Sequence, residues 1–265
     1  MRQIFQLFLV MVAATSLFVG GPVAIARTNV QQFAMEATDG NRITGFIYQD
    51  EHVEKDAPLA ILMHGMNGSS LHWLADDNLS FGDDLASELV SKGYRVVALD
   101  ARSHGARKDD QRPLERLKAL RAGDPVGYLA MINGTVSDYD VMLDKITKNF
   151  GEPRHIMAIG YSMGAQMAVL FAAEHPEVTH LVTMVPPAVK DAPAVAPIKH
   201  ASHVKAQWLL LTADQDQYAT KADNAALAKA AGGAVTHVRF DSQHLLPRTY
   251  LSAVSNWTAN IQPKE

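Results

Sequence analysis

Apolar positions along this chain follow two alternating patterns. The first is a short continuous run. Leu59 to Met63 reads LAILM, with no polar residue to turn toward water, as expected of a strand covered on both faces. Tyr94 to Leu99 and His155 to Ile159 are predicted as further buried strands, and Val178 to Val185, Trp208 to Thr212 and Val235 to Phe240 as a fourth, fifth and sixth strand. The second pattern is helical. Phe81 to Lys92 carries Leu85, Leu89 and Val90 on one side, and Gly93 is its stop. Ser137 to Phe150 is predicted as a helix whose first turn holds Asp138 and Asp140, where the helix dipole favours acids. Ala165 to Glu174 is predicted to stop before Pro176, Asp223 to Ala231 before Gly232-Gly233, and residues 248–260 form a closing helix. Met35 to Tyr48 alternates around Thr38-Asp39-Gly40-Asn41, which predicts a hairpin. Strands that alternate with helices imply an α/β fold, with a mainly parallel twisted sheet and helices on both faces.

Composition narrows the functional classes. The 265 residues are 48% hydrophobic and 20% charged, enough for one substantial core and one domain. A net charge of −4 lacks the positive field that non-specific nucleic-acid binding needs, so no nucleic-acid partner is expected. The chain has no cysteine, which excludes disulfides, thiolate catalysis and cysteine metal sites. The first 26 residues read as a signal peptide: Arg2, an apolar run from Phe5 to Val19, a Gly20-Gly21-Pro22 break and Ala24-Ile25-Ala26 of A-x-A form. The run is shorter than the roughly 20 residues that span a bilayer, so no stable membrane span is expected after cleavage. The expected location is periplasmic or secreted, with residues 27–265 as the mature domain. No feature of the pattern specifies an oligomeric state.

The chemistry is concentrated at Gly160-Tyr161-Ser162-Met163-Gly164, a G-x-S-x-G motif. An apolar strand enters it and an apolar helix leaves it. The chain must turn sharply between them, and only small neighbours fit at Gly160 and Gly164. Such a turn lifts the Ser162 hydroxyl above the strand ends, beside the free N–H groups of a helix N-terminus.

Gly160 to Pro176, GYSMGAQMAVLFAAEHP, resembles the nucleophile elbow and following helix of the α/β-hydrolase superfamily. The resemblance extends to the Thr38-Asp39-Gly40 hairpin, to His64-Gly65 and to Asp100-Ala101-Arg102-Ser103-His104-Gly105. That last run is similar to the family's D-x-R-G-H-G stretch, with Ser103 where glycine is usual. The resemblance implies an esterase-like or lipase-like serine hydrolase, and Ser162 is then its nucleophile.

Family chain order runs from serine to acid to histidine. It assigns the base to His244, in the loop after Val235 to Phe240. The acid follows Trp208 to Thr212, where Asp214 and Asp216 compete. The family's G-x-x-D pattern selects Asp216 and leaves Asp214 as a turn residue bonded to its own backbone. The resemblance also assigns the oxyanion donors, the N–H groups of Met163 after the nucleophile and of Met66 after His64-Gly65. Asp100 ends a strand before Ser162 and is expected to be structural.

The implied reaction is hydrolysis of a small-molecule carboxylic ester or thioester through an acyl-enzyme, with no metal or organic cofactor. An amidase or peptidase would use the same residues, and a non-catalytic binding protein could share the fold. No H-E-x-x-H or H-x-x-x-H helix is present, and Asp76-Asp77, Asp83-Asp84 and Asp109-Asp110 read as solvated or helix-start acids.

Pro186 to Ala206, with four prolines, is too short for a large cap, so little or no cap is expected. Ala106 to Val136 is longer than a tight connection needs. Arg102 to Arg121 has seven basic residues against three acidic ones, a local excess of four. This stretch is read either as a small lid that binds an anion through Arg112 and Arg116, or as a solvated helix with Leu114, Leu117 and Leu120 turned inward. His72 is placed at the pocket mouth, and Trp73 is expected to pack.

Overall fold

The computed structural model describes residues 28–75 and 79–261. The expected signal peptide, its cleavage site and Asp76-Asp77 lie outside the described residues.

One sheet organises the molecule. Its strands are β1 (Thr28–Glu36), β2 (Arg42–Asp50), β3 (Leu59–Met63), β4 (Arg95–Leu99), β5 (Ile156–Tyr161), β6 (Val178–Met184), β7 (Gln207–Ala213) and β8 (Val235–Phe240). Their spatial order is β1-β2-β4-β3-β5-β6-β7-β8. The β1–β2 hairpin and the β2–β4 pair are antiparallel, and every pair from β4 onward is parallel.

The continuous apolar strands are explained by what covers them. In β3, Leu59, Ile61 and Met63 join one core cluster, while Ala60 and Leu62 join the other. Successive side chains point to opposite faces, so a strand buried on both must be apolar throughout. The first face is covered by α3 (Val126–Phe150), α4 (Met163–Glu174) and Leu227 of α6 (Lys221–Ala230). The second is covered by α1 (Gly82–Ser91) and α7 (Tyr250–Thr258). Among the described residues, only α2 (Pro113–Arg121), a one-turn helix α5 (Pro197–His200) and short 3-10 turns remain. Residues 186–206 hold no large cap. Among the described residues no helix is long and apolar enough to cross a membrane.

The predicted helix at Ser137 is corrected at its start. It begins at Val126, eleven residues earlier, so Asp138 lies mid-helix and is not in a first turn. The Asp138 side chain is buried between Arg102 and Arg107, at 2.7 Å from each. Arg102 also holds Asp39 beside the β1–β2 turn, and Arg116 holds Asp109. Much of the basic excess therefore neutralises acids inside the fold. Leu114 is corrected too: Leu120 is buried, but Leu114 stays 41% exposed.

Candidate active site

The site forms where β5 ends and α4 begins. Ser162 occupies that junction with φ 55° and ψ −116°, a conformation that L-residues avoid and the surrounding structure must hold. Two close approaches enforce the turn. A Cβ on Gly164 would overlap the Met63 carbonyl oxygen, and one on Gly160 would overlap Gly164. The Ser162 N–H donates to Met184 O at 2.8 Å, which ties the elbow to the neighbouring strand.

His244 lies in the loop after β8, with Nε2 2.7 Å from Ser162 Oγ and Nδ1 2.9 Å from Asp216 Oδ2. A carboxylate only accepts, so Nδ1–H donates to Asp216 and leaves Nε2 to accept the Ser162 hydroxyl proton. The Asp216 side chain is 1% exposed and that of His244 is 15% exposed, so the inner end of the relay is dry and the outer end is open. Asp216 Oδ1 accepts the Tyr218 N–H at 2.8 Å. Of the two acids after β7, Asp216 alone reaches His244. Asp214 lies in the turn after β7 as expected, but its side chain pairs with Arg239 at 2.7 Å and Lys221 at 3.3 Å and not with its own backbone. Neighbouring cations hold its carboxyl below the usual range, the Arg239 hydrogen bond most of all.

Met66 and Met163 line the same pocket as Ser162 and His244. Met163 is the first residue of α4, where leading N–H groups have no intrahelical acceptor. The loop that carries Met66 is anchored by His64, whose Nε2 accepts the Ala101 N–H at 3.0 Å while Nδ1–H donates to Gly65 O at 2.8 Å. Burial pushes His64 down to about 3, so it is neutral and structural.

Tyr161 and Tyr218 were not singled out by sequence reasoning. Tyr161 hydroxyl donates to His244 O at 3.2 Å and accepts from Leu246 N at 2.9 Å, which fixes the histidine loop. The Tyr218 ring stands nearly perpendicular to that of His244, 4.6 Å between centres. For Tyr161 the only sequence signal is its place as the first variable residue of the motif.

The pocket has a volume of about 560 Å³, and its apolar wall includes Met66, Leu117, Leu120, Tyr128, Met163 and Val189. Leu114 and Arg121 of α2 also line it. Arg112 and Arg116, which the anion-binding alternative invokes, do not line the pocket. His72 lines it as expected, and Trp73 is buried in the core. Among the described residues no group of three His, Cys, Asp or Glu side chains is placed to hold a metal ion.

The model of the family described as serine aminopeptidase, S33, matches residues 55–231 of the chain. Feruloyl esterase B of Thermothelomyces thermophilus is 24% identical over 157 residues, 59% of this chain and 47% of that protein. The chain thus spans about half the length of that curated relative. Acetyl xylan esterase from Paenibacillus sp. R4 aligns with a TM-score of 0.73 and 16% identity, over 92% of this chain and 87% of its own. A cold-adapted esterase from an Arctic intertidal metagenomic library aligns with a TM-score of 0.69 and 17% identity, over 89% and 95%. These two alignments share the fold described above.

Proposed function

Because this chain belongs to the serine aminopeptidase, S33, family of α/β hydrolases, we propose that it hydrolyses small carboxylic esters through an acyl-enzyme on Ser162. The observation that carries the reading is the hydrogen-bonded series from Ser162 Oγ through His244 to Asp216, at 2.7 and 2.9 Å. Ser162 Oγ attacks the ester carbonyl carbon and passes its proton to His244 Nε2. The Met66 and Met163 N–H groups hold the oxyanion, a role whose loss typically slows such a reaction by ~10²–10³ per donor. Asp216 keeps the proton on Nδ1 and stabilises the imidazolium. As the alcohol C–O bond breaks, His244 returns that proton to the leaving oxygen. Water, deprotonated by the same histidine, then cleaves the acyl-serine bond and releases the acid. The relatives named as esterases support the ester as substrate.

A second reading, amide or peptide cleavage by the same three residues, is favoured by the description of the family. One acyl group presented as a p-nitrophenyl ester and as a p-nitroanilide separates them. Turnover of the ester alone supports the esterase; turnover of both at comparable kcat/KM supports the peptidase; no turnover of either contradicts both.

Export is the other part of the proposal. The apolar run from Phe5 to Val19 and the Ala24-Ile25-Ala26 site support it. N-terminal sequencing of the protein from the periplasm or medium is expected to begin at Arg27, and retention in the cytoplasm with Met1 intact would contradict it.

A further inference from the structure

The pocket has two unlike walls around the reacting serine. One is the apolar wall of Met66, Leu117, Leu120, Tyr128, Met163 and Val189. All six belong to or pack on one core cluster that also contains α4, so this wall continues from the oxyanion side of the site. The His244 loop and the segment after β7 also line the pocket. There Tyr218, 36% exposed, presents its ring beside His244, and Arg121 stands over that ring at 5.8 Å. Asp191 and Gln217 line the same pocket. Among the described residues Arg121 and Asp191 make no ion pair with each other or with a third group, unlike Lys190 and Asp223 of the same rim, which bind one another at 3.0 Å.

The chemistry of the proposed reaction says what must lie on each side. His244 Nε2 delivers its proton to the oxygen of the departing alcohol, so the alcohol occupies the space against His244. The side chain that meets it there is Tyr218. An aromatic face is negative and attracts the slightly positive C–H bonds of a saturated ring laid on it. Arg121 and Gln217 supply N–H donors, and Asp191 and the Gln217 carbonyl supply acceptors, to hydroxyl groups at the edge of such a ring. A simple alkyl alcohol would use neither the ring face nor the polar rim. An aryl alcohol would use the face but leave the rim without a partner.

We infer that Tyr218, with Arg121, Asp191 and Gln217 around it, forms a leaving-group subsite that selects esters of sugar-like ring polyols. The inference rests on the esterase reading. It makes Tyr218 the determinant of alcohol preference while the apolar wall governs the acyl group. The Tyr218 backbone N–H, which holds Asp216, is untouched by changes to its side chain.

Three butanoate esters test it: a methyl glucopyranoside esterified at O6, cyclohexylmethyl butanoate with the same ring shape and no hydroxyls, and ethyl butanoate. The wild-type protein is expected to favour the sugar ester over both others in kcat/KM. Tyr218→Ala is expected to reduce that preference about tenfold, whereas Tyr218→Phe, which keeps the ring, retains it. Arg121→Gln is expected to reduce the preference for sugar over cyclohexylmethyl ester without changing cyclohexylmethyl over ethyl. A general disturbance of His244 would slow all three esters alike, and equal loss in Tyr218→Ala would overturn the inference. So would a wild-type preference for the cyclohexylmethyl ester. Absence of hydrolysis of all three would instead overturn the esterase reading beneath it.

Discussion

Two loops of this sheet each place a carboxylate just beyond a parallel strand, and they use it in opposite ways. After β4, Asp100 receives four donors: Thr44 Oγ1, Ser70 N and Ser70 Oγ at 2.8 Å, and Ala106 N at 3.1 Å. Burial alone would raise its pKa, but these hydrogen bonds outweigh burial and leave it lowered. These donors come from three separate segments, β2 at Thr44 and the loops at Ser70 and Ala106, so Asp100 fastens them together and has little capacity left for chemistry. After β7, Asp216 receives one backbone N–H and one imidazole. Its second oxygen is committed to a group that must change its protonation state. What separates a structural carboxylate from a catalytic one here is the identity of its donors.

The contrast has measurable consequences. Asp216→Asn is expected to lower kcat by on the order of 10⁴, because the amide no longer holds His244 in the productive tautomer, while the thermal midpoint stays close to that of wild type. Asp100→Asn reverses the pattern. It disrupts a buried four-donor set and is expected to cost about 1–3 kcal/mol of stability, seen as a midpoint several degrees lower, with kcat of the folded protein little changed. Paired measurements of kcat and thermal unfolding check both. If Asp100→Asn lost activity as Asp216→Asn does, the two carboxylates would not have separate roles. Asp214→Asn, two residues from Asp216, is expected to leave kcat/KM within about twofold, since its partners are exposed cations.

The histidines extend the same contrast to pH. Unfolded, His64 would take a proton near pH 6.5; folded, burial pushes it down to about 3. The unfolded state therefore binds more protons below pH 6.5. The stabilisation is complete above that pH and is lost as pH falls toward 3. His104 and His180 are shifted in the same direction by burial. Between pH 6.5 and 5, above the carboxylate range, the thermal midpoint is expected to fall with pH, and His64→Gln to flatten part of that slope. His175 has the opposite sign. Hydrogen bonding to Asp140, ahead of Glu177, raises it to about 9. Its contribution is present below pH 6.5 and fades as pH rises through 9, a smaller effect that Asp140→Asn should reduce.

How much of this was legible in the sequence follows from the range of the interactions. β3 and the G-x-S-x-G elbow are local: an all-apolar run and two glycines at fixed spacing determine them, and the bounds of β3 to β8 agree within two residues, whereas β1 begins at Thr28, seven residues before the predicted hairpin. Chain order and the G-x-x-D pattern pointed to Asp216 and His244 because the fold brings the ends of β7 and β8 beside the end of β5. The first half of α3 was hidden by Gly127 and Gly134, which look like helix breakers. Gly134 is there because a Cβ would strike the Arg102 guanidinium. That guanidinium in turn explains the buried Asp138, read from sequence as a dipole-stabilising acid. Neither fact is visible without knowing that Arg102 crosses α3. The side-chain pairing of Asp214 is hidden for the same reason, since Arg239 lies 25 residues away and meets it only once β7 and β8 pair. Tyr218 left no pattern at all, and its role depends on where the His244 loop comes to rest.

The Ser162 nucleophile is tested most directly by intact-mass analysis after treatment with a fluorophosphonate, followed by peptide mapping. One adduct on the peptide that contains Ser162 is expected in the wild-type protein, absent in Ser162→Ala and strongly slowed in His244→Ala. An adduct on another residue, or none on a folded wild-type protein, would contradict the assignment.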